Sequence, residues 1–404
     1  SQWYLDRYRY SAGVSESKGF GETYVTCYMI KYIHFHCRLK IMLLKLYKKA
    51  ESVGKNLSTR LSIYKWWRYY SKGVKIKKLS KEQKRQIQDY YKPLVGREID
   101  TRWHALLYTL TGVFNVKYLP FDLFHKVAYT LSPWEYHKIL DDKNMYRHFF
   151  HGFNLPERLV ECSCGVYYLP LESDNEVTFE DVVKYCQNID NCIIKPSRDS
   201  SGGQGVSLIS VKKGIANTGE EIRVLLKRYG KNFLIERRLS NCFILKQLNP
   251  TSLNTFRIIT YRDESGVPRY LKSFLRIGRI GGVIDNASAG GMVCPITPDG
   301  KLGNYACTTF PYKQFDKTDN GTVVGGYKIP QFPELIQTAI DAHARLPYFN
   351  IIGWDITIDK DDRIVIVECN PPCDMRIGQV MFKTSYISEY QEEILMRVFK
   401  KERT

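Results

Sequence analysis

From about residue 161 onward, apolar positions fall into short β-branched and aromatic runs, separated by clusters of Gly, Pro, Asn and Asp. That pattern predicts strands over 192–195, 233–236, 256–261, 270–277 and 363–368. Three intervening stretches, 178–188, 219–229 and 333–345, repeat their apolar residues every three to four positions and predict helices. Upstream, 81–91 reads as a polar helix opened by Ser80 as N-cap and closed by Pro93, and aromatic-rich helical or loop sequence runs on to Asp141. The class is α+β, without internal repeats or low-complexity tracts.

With 44% apolar and 25% charged residues, the 404-residue chain has the composition of a soluble globular protein of two or three domains. No stretch approaches the ~18 to 20 apolar residues of a membrane span. Eleven scattered cysteines point to a reducing cytoplasm and buried thiols. Cys162 with Cys164 and Cys369 with Cys373 lack the paired C-x2-C spacing of a zinc site.

The net charge of +18 is concentrated: positions 31–92 hold 18 Lys or Arg against three acids. Tyr64, Trp66, Trp67, Tyr69 and Tyr70 share that segment, and 39–49 alternates apolar residues with lysines at helical spacing. Three uses compete. The segment could be a solvated helical face or a surface for anionic membrane, where each basic residue contributes ~1 kcal/mol. Nucleic-acid binding ranks last, because no recognised motif accompanies the charge.

Chemistry concentrates in three places. In the first, a short apolar strand delivers Lys195, Pro196 ends strand pairing, and a loop containing Ser200, Ser201, Gly202, Gly203 and Gly205 frees backbone N–H groups for an anion. It is neither a Walker A loop nor a dinucleotide fingerprint. In the second, alternating strands around a polar turn between Asp361 and Asp362 pair residues whose numbers sum to 723, which sets Asp355 opposite Glu368 and leaves Asn370 on the same face. Directly opposed carboxylates repel, and a divalent cation between them resolves the conflict better than solvent does; two carboxylates and an amide oxygen suit Mg²⁺. The third holds Asn254 and Arg257, then Arg276 and Arg279, then Asp285 and Asn286. Arginine forks there suit a phosphate or a carboxylate, with surface ion pairs as the plainer use.

In that order these motifs resemble the ATP-grasp superfamily, most closely its sugar-transfer-associated branch, from about Leu79 to the C-terminus. The resemblance implies two α+β subdomains clamping ATP behind a basic helical N-terminal region. The implied boundaries are a basic arm over 1–78, a pre-ATP helical region over 79–160, a lid subdomain over 161–240 and a metal and substrate subdomain over 241–404. It implies that Lys143 and Lys195 grip ATP phosphates beneath the 200–205 lid, and that Glu236, Arg237 and Leu239 form a hinge whose backbone reads adenine. Asp355, Glu368 and Asn370 are then the magnesium ligands and Arg257 a phosphate-binding arginine. Arg276 and Arg279 orient the substrate carboxylate, beside Asn254, Asp285 and Asn286. The usual ribose-binding acid past the hinge is absent, which leaves ribose to Asn241 or Gln247, or only weakly held.

The implied activity is ATP-dependent joining of a carboxylate to an amine through an acyl phosphate, with a sugar acid or glycan of surface polysaccharide as the acid. An ATP-grasp kinase or a non-catalytic nucleotide-binding protein would share the same nucleotide residues. The implied location is cytoplasmic, peripheral to the inner membrane face through the basic arm. No Ser-His-Asp set is apparent, and the eight histidines read as structural or surface residues.

Overall fold

The computed structural model describes residues 61–169, 176–198, 200, 203–281, 290–371, 373–374 and 378–400. The chain divides into two compact units, 1–68 and 69–404. Of the first, 61–68 are described and are helical. The rest of the basic arm, including 39–49, lies outside the described residues.

The second unit opens with helix α1 (Lys81–Val95). Ser80 caps it through the Gln83 N–H, and the Gln83 side chain answers to the Ser80 backbone. The helix does not stop at Pro93 as expected. It runs on to Val95 and ends where Gly96 adopts φ 77° and donates its N–H to the Lys92 carbonyl. Proline in the last turn forfeits one hydrogen bond, and a glycine able to turn left-handed is the stronger stop. α2 (Arg102–Thr111), α3 (Phe121–Leu131) and α4 (Trp134–Asp141) follow.

Two seven-stranded antiparallel sheets come next. The first is built from β1 (Arg158–Ser163), β2 (Val166–Tyr168), β3 (Glu176–Val177), β4 (Ile189–Pro196), β5 (Ser207–Lys212), β6 (Ile215–Ala216) and β7 (Asn232–Arg237), in the order β3-β2-β1-β7-β4-β5-β6. Its apolar face packs under α5 (Phe179–Tyr185) and α6 (Ile222–Tyr229) through Val182, Leu225, Ile194 and Ile235. The opposite face carries Lys195 and Glu236. Neighbouring strands supply them in alternation, so both leave the core side together.

After β7 the chain crosses through α7 (Phe243–Leu248) to the second sheet: β8 (Thr255–Arg262), β9 (Pro268–Ile277), β10 (Met292–Pro295), β11 (Ala306–Thr309), β12 (Tyr312–Phe315), β13 (Ile351–Ile358) and β14 (Ile364–Asn370), in the order β12-β11-β10-β9-β8-β13-β14. α8 (Phe332–Ala344) covers it, with Phe332, Phe256, Ile258 and Trp354 in one core. The C-terminal α9 (Gln391–Lys400) returns to α1 and α3. All five predicted strands and all three later helices form. The short strands β2, β3, β6 and β10 to β12 were not expected, because two to four residues carry too little periodicity to read. Eight of the nine described cysteines are buried free thiols; Cys164 is exposed.

Candidate active site

Lys143 follows α4 in a single 3-10 turn, 143–145, held by the Asp142 side chain on the Asn144 N–H. The turn is fastened to the first sheet by the Lys143 N–H on the Ser197 carbonyl at 2.8 Å. The buried ammonium of Lys143 therefore has a fixed origin. It lies 3.1 Å from Glu368 Oε1 on the second sheet and 3.4 Å from Ser200 Oγ on the lid loop. Three separate parts of the chain meet at that nitrogen.

Lys195, near the end of β4, reaches Glu236 Oε2 at 2.6 Å, and Arg158 reaches Glu236 Oε1 at 3.2 Å. Burial raises the Glu236 carboxyl, but Lys195 and Arg158 outweigh it and hold the group ionised below its ordinary range. Arg158 also donates to the Lys143 carbonyl at 3.2 Å and to Asn144 Oδ1 at 2.8 Å, and so ties the two lysine-bearing segments together. A third carboxylate, Glu161, takes Arg158 and Arg147 at 3.3 and 3.2 Å.

On the second sheet, Asp355 faces Glu368 directly, with Trp354 opposite Cys369 and Gly353 opposite Asn370. Each of those pairs sums to 723. Toward the turn the register slips by one, from Ile356 opposite Ile366 to Ile358 opposite Ile364, because Val367 bulges. The turn is thus centred on Asp361. Asp355 is also the partner of Arg257 on β8. Arg257 grips it with Nε on Oδ1 at 2.6 Å and a terminal nitrogen on Oδ2 at 3.1 Å, and Arg276 from β9 closes on Oδ2 as well. Burial pushes the Asp355 carboxyl up, yet Arg257 and Arg276 hold it below the usual range; burial would lower the Arg257 pKa, and Asp355 raises it instead. Asn370 Nδ2 stands 3.4 Å from Asp355 Oδ2.

Asp355, Glu368 and Asn370 are therefore adjacent oxygen-bearing side chains on paired strands, a donor set of the kind a hard divalent cation takes. Among the described residues no group of three His, Cys, Asp or Glu converges on a metal position.

Other expected residues are placed differently. Arg279 pairs with Asp319 at 2.8 Å and covers the Phe315 ring, while Arg276 alone reaches Asp355. Asn254 is buried with its amide on the Leu245 and Asn249 carbonyls, both 2.9 Å. Asn241 is likewise buried, bonded to Thr357 Oγ1 at 2.7 Å and to the Asn254 N–H at 2.7 Å, so it braces the crossover between the lobes. Arg237 and Leu239 line a cleft of about 500 Å³ with Leu155, Asp361 and Val365. Gly203 and Gly205 have φ 82° and 71°, and a Cβ on Gly205 would meet the Pro196 ring at 2.8 Å. Ser201, Gly202, Asp285 and Asn286 lie outside the described residues.

The reading missed Arg158 and Arg147. Their signal was available: Arg158 and Glu161 are charges inside an otherwise apolar strand, the kind that must be paired when buried. Glu236, expected to act through its backbone, contributes its carboxylate.

Two antiparallel sheets that bring a lid loop, two lysines and an acid-bearing hairpin to one face define the ATP-grasp class. Residues 126–393 match the model of the sugar-transfer associated ATP-grasp family, and the chain belongs to that family. No curated protein matches it by sequence. Among solved structures it is similar to the biotin carboxylase domain of a 2-oxoglutarate carboxylase from Hydrogenobacter thermophilus, at 11% identity and a TM-score of 0.38 over 66% of this chain and 47% of that one. It is also similar to N5-carboxyaminoimidazole ribonucleotide synthetase from Thermotoga maritima, at 12% identity and 0.35 over 65% and 51%. The D-alanine-D-alanine ligase of Coxiella burnetii matches at 10% identity and 0.34 over 66% and 59%. The chain thus spans about half the length of these neighbours. No helix among the described residues is long and apolar enough to cross a membrane.

Proposed function

We propose that the chain is an ATP-dependent ligase that joins a carboxylate to an amine through an acyl phosphate, with a sugar acid or glycan as the acid. The observation that carries this reading is the meeting of Lys143 with Glu368 and Ser200, which puts a phosphate-neutralising cation, an oxygen ligand and the lid at one point. Family membership supports ATP as the co-substrate.

A carboxylate is a poor electrophile, and phosphorylation corrects that. Lys143 and Lys195 balance charge on the transferring phosphoryl group, while Arg257 keeps Asp355 in place and Arg276 orients the acid and later its phosphorylated form. Asp355, Glu368 and Asn370 would hold Mg²⁺, which supplies neutralisation of the phosphate oxygens when bound. The lid keeps water from the acyl phosphate. The amine then forms the C–N bond as phosphate leaves.

The test is an ADP-release screen over sugar acids and amines with Mg²⁺, with Glu368→Gln as the blank and hydroxylamine as a trap. Acid-dependent ADP and a hydroxamate are expected. A stable phosphorylated sugar would make the protein a kinase, and no acid-dependent ADP would leave a nucleotide-binding protein without catalysis. The basic segment 1–78 is assigned to an anionic membrane surface, the site of lipid-linked glycans. Deleting it should abolish binding to vesicles containing anionic lipid, and vesicle binding that survives deletion removes this assignment.

A further inference from the structure

Asp355 Oδ2 is the oxygen that a cation shared with Glu368 and Asn370 would have to use, because it is the one Asn370 approaches. That oxygen already receives three donors: a terminal nitrogen of Arg257, one of Arg276, and Asn370 Nδ2. An sp² oxygen has two lone pairs, so the position is full. The charge count agrees. Arg257, Arg276 and Lys143 are three cations around two carboxylates, Asp355 and Glu368. As the chain builds it, Asp355 is neutralised by Arg257 and Arg276, and a divalent ion would have to displace one of them.

The two arginines are not equivalent. Arg257 comes from the strand paired with Asp355 and holds both carboxylate oxygens. Its stem lies against Gly353, where an added Cβ would meet Arg257 Cδ at 3.1 Å, and its other terminal nitrogen is 3.9 Å from Cys373 Sγ. Arg276 comes from one strand further away, closes on Oδ2, and also donates to the Thr255 hydroxyl at 3.1 Å. Arg276 is the one that can leave.

Resting on the ligase reading for the identity of the anion, we propose that Arg276 and a divalent cation are alternative occupants of Asp355. The metal is accepted only with phosphates, whose charge draws Arg276 off the carboxylate. Arg276 thus orders binding, and once off Asp355 its guanidinium would be free to meet the phosphoryl group.

The test counts free Mn²⁺ by electron paramagnetic resonance against the full chain. Without nucleotide, the wild type should leave Mn²⁺ free into the millimolar range. Arg276→Met and Arg276→Gln should each bind Mn²⁺ about tenfold or more tighter than wild type, and adding Asp355→Asn to either should abolish the gain. If one variant does not fold, the other carries the test, with the Mn²⁺-induced rise in its thermal midpoint as a second readout. Wild-type Mn²⁺ binding as tight as that of the variants overturns the proposal, and so does a gain that survives Asp355→Asn. Calorimetry of ADP in chelator separates the two readings. Absence of ADP binding would sink the nucleotide assignment, while the Mn²⁺ comparison would still decide the role of Arg276.

Discussion

Asp355 and Glu368 face each other across β13 and β14, and each carries its own cationic partner from elsewhere in the chain: Arg257 and Arg276 for the first, Lys143 for the second. The repulsion expected of opposed carboxylates is thus met by side chains as well as by whatever cation the pair binds. Glu368 is the more open of the two, at 30% side-chain exposure against 4%.

Glu368→Gln keeps the shape of the pair and removes one charge. ADP release should fall by about two to three orders of magnitude, the size expected when one preorganised electrostatic contact is lost. The thermal midpoint should hardly move, because an amide can still accept from Lys143. Steady-state ADP release beside a melting curve checks both halves. A large loss of stability would mean that the carboxylate is structural.

Glu236 is the opposite case. It is buried, with Lys195 at 2.6 Å and Arg158 at 3.2 Å. Glu236→Ala strands Lys195, while Arg158 keeps Glu161, and should cost about 3–5 kcal/mol. Glu236→Ala combined with Lys195→Met should recover part of that loss, because one stranded charge goes with its partner. Urea unfolding of the wild type, Glu236→Ala, Lys195→Met and the double variant gives the coupling energy; strict additivity would argue against the pair.

How much of this was legible in the chain depends on distance along it. The opposition of Asp355 and Glu368 follows from alternation on both sides of one turn, a local rule that holds on the Asn370 side of the Val367 bulge. The choice of Arg276 over Arg279 does not follow. It requires knowing that β9 pairs with β8 so that Arg276 lies opposite Thr255, a register set by long-range packing. The internal hydrogen bonds of Asn241 and Asn254 were not legible for a related reason. A polar side chain past a hinge looks available for ligand until the carbonyls that need its amide hydrogens are seen. Arg158 was overlooked because a single charge in a strand reveals its partner only when β1 is laid beside β7.

Gly205 tests the base of the lid. Its φ of 71° favours glycine, and an added Cβ would strike the Pro196 ring, which cannot swing away. Gly205→Ala should destabilise the lid base by about 1–3 kcal/mol. Tyr229, whose hydroxyl donates to the Gly205 carbonyl at 2.9 Å, would report the shift through faster amide exchange around 203–207. The KM for ATP should rise more than kcat falls. Unchanged exchange at these amides would count against a lid anchored here.

Acid stability should be set by two histidines far from the chemistry. His104 is fully buried, with Nε2 against the Val116 carbonyl at 3.0 Å. His343 is clasped between Thr260 Oγ1 at 2.7 Å and the Phe349 carbonyl at 2.8 Å. Burial pushes both imidazoles down to about 4, from 6.5 in the unfolded chain. The unfolded chain therefore binds these protons first, so the stabilisation is complete above pH 6.5 and is lost as pH falls toward 4. Each shift corresponds to about 3 kcal/mol across that window. Asp355 and Glu236, with lowered carboxyl pKa values, add their own loss only below about pH 4.5. Urea unfolding at pH 7, 6 and 5 should show stability already falling by pH 5. His343→Gln, whatever it costs at pH 7, should make that fall shallower. A stability that is flat from pH 7 to 5 would mean that neither ring is buried in its neutral form.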